Sequence, residues 1–113
     1  MKTRKEIKEE YKQMKFSMGV FQVKNRSNNK VFIDNSVDIA SKWNRHKTEL
    51  KFGNHKNREL QNDWNEKGED NFDLEILSEL KQDDKKVINY AKELKLLQQM
   101  LIDEMNIPEE LRY

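Results

Sequence analysis

Apolar and polar residues alternate twice near the start of this chain. Val20, Gln22 and Lys24 interleave with Phe21 and Val23, and Val31 and Ile33 interleave with Phe32. Period two marks a strand with one buried face, so strands are predicted over 18–24 and 30–34. Between them, Asn25-Arg26-Ser27-Asn28-Asn29-Lys30 is turn chemistry, because Asn tolerates positive φ and bonds its own backbone. The pattern makes one hairpin, with Gly19-Val20-Phe21 and Phe32-Ile33-Asp34 facing each other across the ladder. Elsewhere the period is mostly helical. Ile7, Tyr11 and Met14 predict an amphipathic helix over 2–15, ahead of the first strand. Ile39, Trp43, His46 and Leu50 predict another over 37–51, with Ser36 as N-cap, Asp38 in the first turn and Gly53 as the stop. Leu60 and Trp64 mark a shorter helix from Lys56 to Asn65, ended by Gly68. Phe72, Leu74, Ile76 and Leu80 predict a third strand that runs out near Leu77. From Asp83, a suitable cap, a long helix is expected to turn Val87, Tyr90, Ala91, Leu94, Leu97, Leu101 and Met105 inward, and Pro108 bars it beyond Asn106. No heptad persists for three repeats, which excludes a coiled coil.

Composition narrows the class. At 113 residues the chain makes one domain, and 38% charged residues against 35% hydrophobic ones leave a lean core. The expected division is a basic amphipathic helix over 1–17, a folded domain over 18–106 and a tail over 107–113. There is no cysteine, hence no disulfide, thiolate metal site or cysteine nucleophile. The start, Met1-Lys2-Thr3-Arg4-Lys5, is charged rather than apolar, and no segment approaches ~18 apolar residues, so a cytoplasmic protein without membrane partners is expected. The net charge of +1 hides a polarity along the chain: residues 1–58 carry +9 and residues 59–113 carry −8. The basic part holds the hairpin and the helix after it, and phosphate is the natural partner for such a face.

The hairpin and the segments after it resemble the GIY-YIG nuclease superfamily. Gly19-Val20-Phe21 and Phe32-Ile33-Asp34 stand for the two tripeptides that name it. Trp43 and His46 stand on the family's first helix, and Phe52-Gly53-Asn54-His55 in the loop after it. Leu60-Gln61-Asn62-Asp63-Trp64 comes next, and then Gly68-Glu69-Asp70-Asn71-Phe72 leads into the third strand. Order and spacing match over roughly residues 18 to 105. The resemblance implies a small α/β (α+β) domain: a three-stranded, mainly antiparallel sheet flanked by helices, here with an extra N-terminal helix.

The departures fall on chemistry. Family members that cut DNA usually carry Tyr where this chain has Phe21 and Phe32, Arg where it has Lys42, and Gly where it has Asp34. The family's metal-binding Glu corresponds to Gln98 in Leu97-Gln98-Gln99-Met100-Leu101-Ile102, while its loop His is kept as His55. The resemblance thus makes Phe21, Phe32, Lys42 and His55 the impaired catalytic positions and Gln98 a metal position that is not expected to bind. Nucleic acid, DNA in particular, would meet Lys24, Lys30, Lys42, Arg45 and His46.

Physical chemistry agrees with impairment. Phenylalanine has no hydroxyl with which to handle a proton, and Lys42 lacks the planar fork of a guanidinium, which Arg45 could supply from the same helix. An amide at Gln98 carries no charge, whereas hard divalent cations bind through carboxylates, and the residues one turn away are Leu94, Lys95, Leu101 and Ile102. Gln98 is read as a buried amide satisfied by backbone, His46 as packing or hydrogen-bonding beside Trp43, and Leu60, Gln61 and Trp64 as core. Asp34, Asp38, Asp70 and Asp73 are read as caps and turns, with Asp34 a stand-in metal ligand if one is needed. The expected function is nucleic-acid binding with metal-dependent phosphodiester cleavage weak or lost, and no cofactor. The alternatives are an active DNA endonuclease using altered residues with Mg²⁺ or Mn²⁺, and a protein-binding inhibitor or adaptor on the same fold.

Overall fold

A computed structural model describes residues 17–81 and 89–113. The helix expected over 2–15 lies outside the described residues, as do Asp83 and Val87. Three strands, β1 (Met18–Asn25), β2 (Val31–Ser36) and β3 (Phe72–Leu80), form one antiparallel sheet in the order β2-β1-β3. Helices α1 (Ile39–Lys51), α2 (Arg58–Lys67) and α3 (Tyr90–Met105) pack around it. This is the three-stranded antiparallel α+β domain that the sequence predicts.

The hairpin register differs from the expected one. Phe21 pairs with Asp34 and Val23 with Phe32, so the two tripeptides overlap only at one residue pair instead of facing each other. Phe21 and Phe32 still share a face, because residues two apart on a strand point the same way. β1 is not half-buried either: Val20, Phe21 and Val23 are fully buried and Gln22 nearly so. As the central strand it is covered on both faces, by α1 and α2 on one and by α3 on the other. The turn is held by Asn25, which accepts from the Ser27 amide (2.8 Å) and the Asn71 side chain (2.7 Å), while Asn29 takes φ 63°.

β3 runs to Leu80 rather than ending near Leu77, because Met18, Gly19 and Val20 continue to pair with Leu80, Glu79 and Ser78. Gly19 makes that possible. A Cβ there would stand 1.9 Å from the Ser78 carbonyl oxygen, so only glycine lets the two backbones approach.

The first helix begins two residues later than expected. Asp38, not Ser36, is the N-cap; it accepts from the Ser41 amide (3.2 Å) and the Ser41 hydroxyl (2.7 Å). Ser36 closes β2, and its hydroxyl bonds the Asp38 backbone on both its N–H and C=O sides. α2 is capped by Asn57 and stopped at Gly68, and α3 begins at Tyr90 after the Asn89 cap. Its inward stripe is Tyr90, Leu94, Leu97, Gln98, Leu101 and Ile102, with Ala91 and Met105 turned out, contrary to expectation. The main core, Phe21, Val23, Ile39, Leu50, Leu60, Trp64 and Phe72, lies between the sheet and α1–α2.

Residues 107–113, read as a tail, return to the sheet. The Tyr113 amide bonds the Val31 carbonyl (3.0 Å) on the free edge of β2, and its hydroxyl reaches Asp63 (2.5 Å).

Candidate functional site

Helical spacing on α1 places Lys42, His46 and Glu49 at i, i+4 and i+7, one stripe beside the core stripe of Ile39, Trp43 and Leu50. β2 brings Phe32 and Asp34 under that stripe, and the loop between α1 and α2 brings His55. Together they line an open pocket of about 350 Å³ with the exposed cations Arg45 and Lys56 and with Asn57. His55 is buried at 3% exposure. Gln61 holds it there, accepting from the His55 amide (3.1 Å) while donating to the Leu50 carbonyl (2.9 Å) and so tying the loop to the end of α1.

The two imidazoles form a chain whose tautomers are fixed from one end. The Asn57 amide donates to His55 Nδ1 (3.1 Å), so the His55 proton sits on Nε2. Nε2–H then donates to His46 Nδ1 (2.9 Å), which leaves the His46 proton on Nε2, donated to Asp34 Oδ2 (2.8 Å). Lys42 Nζ stands 3.4 Å from the same carboxylate oxygen. Burial pushes the Asp34 carboxyl up, but the His46 hydrogen bond, the Asn35 amide and the Lys42 charge outweigh it and hold it below its ordinary value. Burial holds His55 below its ordinary value, and His46 beside it acts in the same direction. Both rings meet the Phe32 ring edge-on, with centroids 5.2 Å and 5.6 Å away. His46 therefore does not pair with Trp43, which turns instead to Trp64, centroids 6.4 Å apart.

The chemistry is set by this occupancy. All four ring nitrogens are engaged, so neither histidine offers a free lone pair to a water in this arrangement. Phe21 is fully buried behind the site, and its ring centroid is 6.3 Å from that of His46. Gln98 is not in the pocket. Its Nε2 donates to the Ile33 carbonyl (3.1 Å) and its Oε1 accepts from the Asn35 side chain. Ile33 and Asn35 alternate with Phe32 and Asp34, so this contact lies on the opposite face of the sheet. The amide does not fit a hard divalent cation: it is uncharged, and its oxygen already accepts Asn35. A different group of donors, His46, Glu49 and His55, converges within 4.8 Å on the pocket side.

Of the cations expected to meet nucleic acid, Lys42 and Arg45 line the pocket, and Arg45 is 73% exposed while bonding Glu49 (3.1 Å). Lys24 and Lys30 do not line it, and Lys30 pairs with Glu59 and lies over the Tyr113 ring. The basic half of the chain is partly neutralised by the acidic half, through Arg26–Asp73, Lys30–Glu59, Lys47–Glu69 and Lys51–Glu69. Sequence reasoning misses Glu49 and the positioning role of Gln61. A signal for Glu49 exists, since it lies three residues after His46 and seven after Lys42 on one helix face.

No protein-family model matches the chain. It is 37% identical over 62 residues to intron-associated endonuclease 1 of Enterobacteria phage T4, a stretch covering 55% of this chain and 25% of that protein. Its fold matches the catalytic domain of homing endonuclease I-TevI with a TM-score of 0.67 and 28% identity, over 85% of this chain and 95% of that domain. A mutant of the same catalytic domain matches with a TM-score of 0.66 over 80% of this chain and 86% of that one. Among the described residues no helix is long and apolar enough to cross a membrane. Sequence and fold agree: the chain is similar in sequence to this endonuclease and has the fold of its GIY-YIG catalytic domain.

Proposed function

We propose that this chain binds nucleic acid through the Lys42–Arg45–Lys56 side of the pocket, and that metal-dependent cleavage through the superfamily's own positions is weak or lost. The observation that carries the reading is the state of Gln98. It is an uncharged group, hydrogen-bonded to Ile33 and Asn35, where the resemblance expects a metal-binding carboxylate. Phe21 and Phe32 add that no hydroxyl stands at either tripeptide position. The closed Asp34–His46–His55 chain adds that the histidines hold one another's lone pairs and protons. What remains suits phosphate: exposed cations around a concave surface.

A second reading, a DNA endonuclease using altered residues, is supported by the Asp34–His46 pair. A carboxylate holding an imidazole in one tautomer is the arrangement of a general base once the other nitrogen is free. Plasmid incubated with Mg²⁺ or Mn²⁺, scored together for gel shift and nicking, separates the readings. A salt-dependent shift without nicking is expected. Robust metal-dependent nicking replaces the first reading by the second, and no shift even at low salt favours a protein partner.

A further inference from the structure

We infer that His46, Glu49 and His55 form a site for a borderline divalent transition metal of the Zn²⁺ or Co²⁺ class, separate from the Gln98 position. One ring nitrogen each from His46 and His55 and a Glu49 carboxylate oxygen lie within 4.8 Å of one another, and the ring nitrogens that face each other are His46 Nδ1 and His55 Nε2. His46 and Glu49 are i and i+3 on α1, and His55 arrives from the following loop on the anchor of Gln61. Two nitrogens and one carboxylate oxygen, with the open pocket in front, are three protein ligands and a free fourth position. Such a nitrogen-rich set disfavours Mg²⁺, which needs oxygen.

The surroundings already match a loaded site in one respect. A metal-bound histidine typically donates its other ring N–H to a carboxylate, and His46 Nε2 donates to Asp34 at 2.8 Å. That hydrogen bond leaves the His46 Nδ1 lone pair pointing at the site. The two facing nitrogens are 2.9 Å apart. On one tetrahedral ion, at bonds of about 2.0–2.1 Å, they would stand about 3.3 Å apart, so the rings need to open by only a few tenths of an ångström. Proton and metal compete for the same place. The proton now between the rings leaves His55 Nε2 and, by exchange with water, one returns to His55 Nδ1, where it faces the Asn57 N–H and breaks that hydrogen bond. The nearby cations Lys42 and Arg45 oppose the ion, and the Asp34 and Glu49 carboxylates offset them.

The chain contains two histidines and no cysteine, so no rival nitrogen- or sulfur-rich site complicates the test. The untagged chain is titrated with Zn²⁺, Co²⁺ and Mg²⁺. Zn²⁺ is expected to raise the melting temperature and shift the Asn57 amide resonance, Co²⁺ to show the visible absorption of a four-coordinate ion, and Mg²⁺ to do neither. Asp34→Asn should weaken Zn²⁺ binding about 10- to 100-fold by removing the carboxylate behind His46. His46→Ala and Glu49→Gln should abolish or strongly reduce it, and Glu49→Gln changes only a half-buried side chain, which keeps the comparison clear of misfolding. Wild-type affinity in Glu49→Gln, an unmoved Asn57 resonance at saturating Zn²⁺, or no Zn²⁺ binding by the wild-type chain would each overturn the site.

Discussion

On the α3 face of the sheet, Gln98, Asn35 and the Ile33 carbonyl are joined by neutral hydrogen bonds. On the other face, one residue along the same strand, Asp34, His46 and His55 are joined through groups that gain and lose protons. The first network faces the underside of a helix. The second faces an open pocket with cations around it. A neutral, closed network contributes only structure, about 0.5–1.5 kcal/mol per hydrogen bond. A titratable one in a pocket can answer to pH, to an anion or to a metal ion. Alternation along β2 is what separates a structural glutamine from a responsive pair of histidines.

The largest effect is expected from the strand both faces share. Gly19→Ala puts a methyl into the Ser78 carbonyl and should cost about 3 kcal/mol or more by prising β3 from β1. Urea unfolding should show it, and the two faces should fail in one transition. Separate transitions would mean that the faces are not coupled through β1.

Gln98→Glu perturbs the α3 face alone. It turns the Nε2 donor into an acceptor opposite the Ile33 carbonyl and should cost about 1–3 kcal/mol at neutral pH. Because the folded state disfavours the ionised form, that carboxyl's pKa should rise. The loss should therefore shrink as pH falls through the carboxylate range, when a protonated oxygen can donate again. A cost independent of pH would show that the contact with Ile33 is not formed.

The pocket face should respond to pH in the wild-type chain. The folded pKa of His55 lies below its ordinary value of 6.5, so the unfolded chain takes up protons first. Stability should hold above that pH and decline as pH falls below it, with a further decline in the more acidic range as Asp34, also lowered from its ordinary 3.8, is protonated. Thermal unfolding from pH 8 to 5 checks the first decline, and His55→Gln should flatten it.

Arg45→Ala should change least in stability, by no more than about 0.5 kcal/mol, since its bond to Glu49 is a surface pair within one helix. Paired with Lys42→Ala it should matter for binding, lowering the salt slope of DNA affinity by about 0.9 for each phosphate no longer neutralised. An unchanged slope would move the binding surface away from the pocket.

Much of the fold is legible in residue order. Alternation in Val20–Val23 and Val31–Ile33 predicts the hairpin, Gly53 and Gly68 mark helix ends, and the spacing of Leu60 and Trp64 predicts α2, because each depends on neighbours a few residues away. The start of α1 is ambiguous in the sequence because two good capping residues, Ser36 and Asp38, lie close together. Only the path of β2 decides that Ser36 still belongs to a strand. The burial of β1 on both faces is hidden for a related reason: a polar Gln22 reads as exposed until α3, far along the chain, covers that face.

By itself, then, the sequence determined the strands, the helices, the superfamily pattern and the absence of hydroxyl, guanidinium and carboxylate at the expected positions. These are properties of residue type and local period. Tertiary structure alone decided that His46 meets His55 and Asp34 and that Gln98 turns to the far side of the sheet. Those contacts link residues 9 to 65 positions apart. Their geometry is set by how α1, the loop after it and α3 settle on a common sheet, a packing outcome that no local pattern encodes.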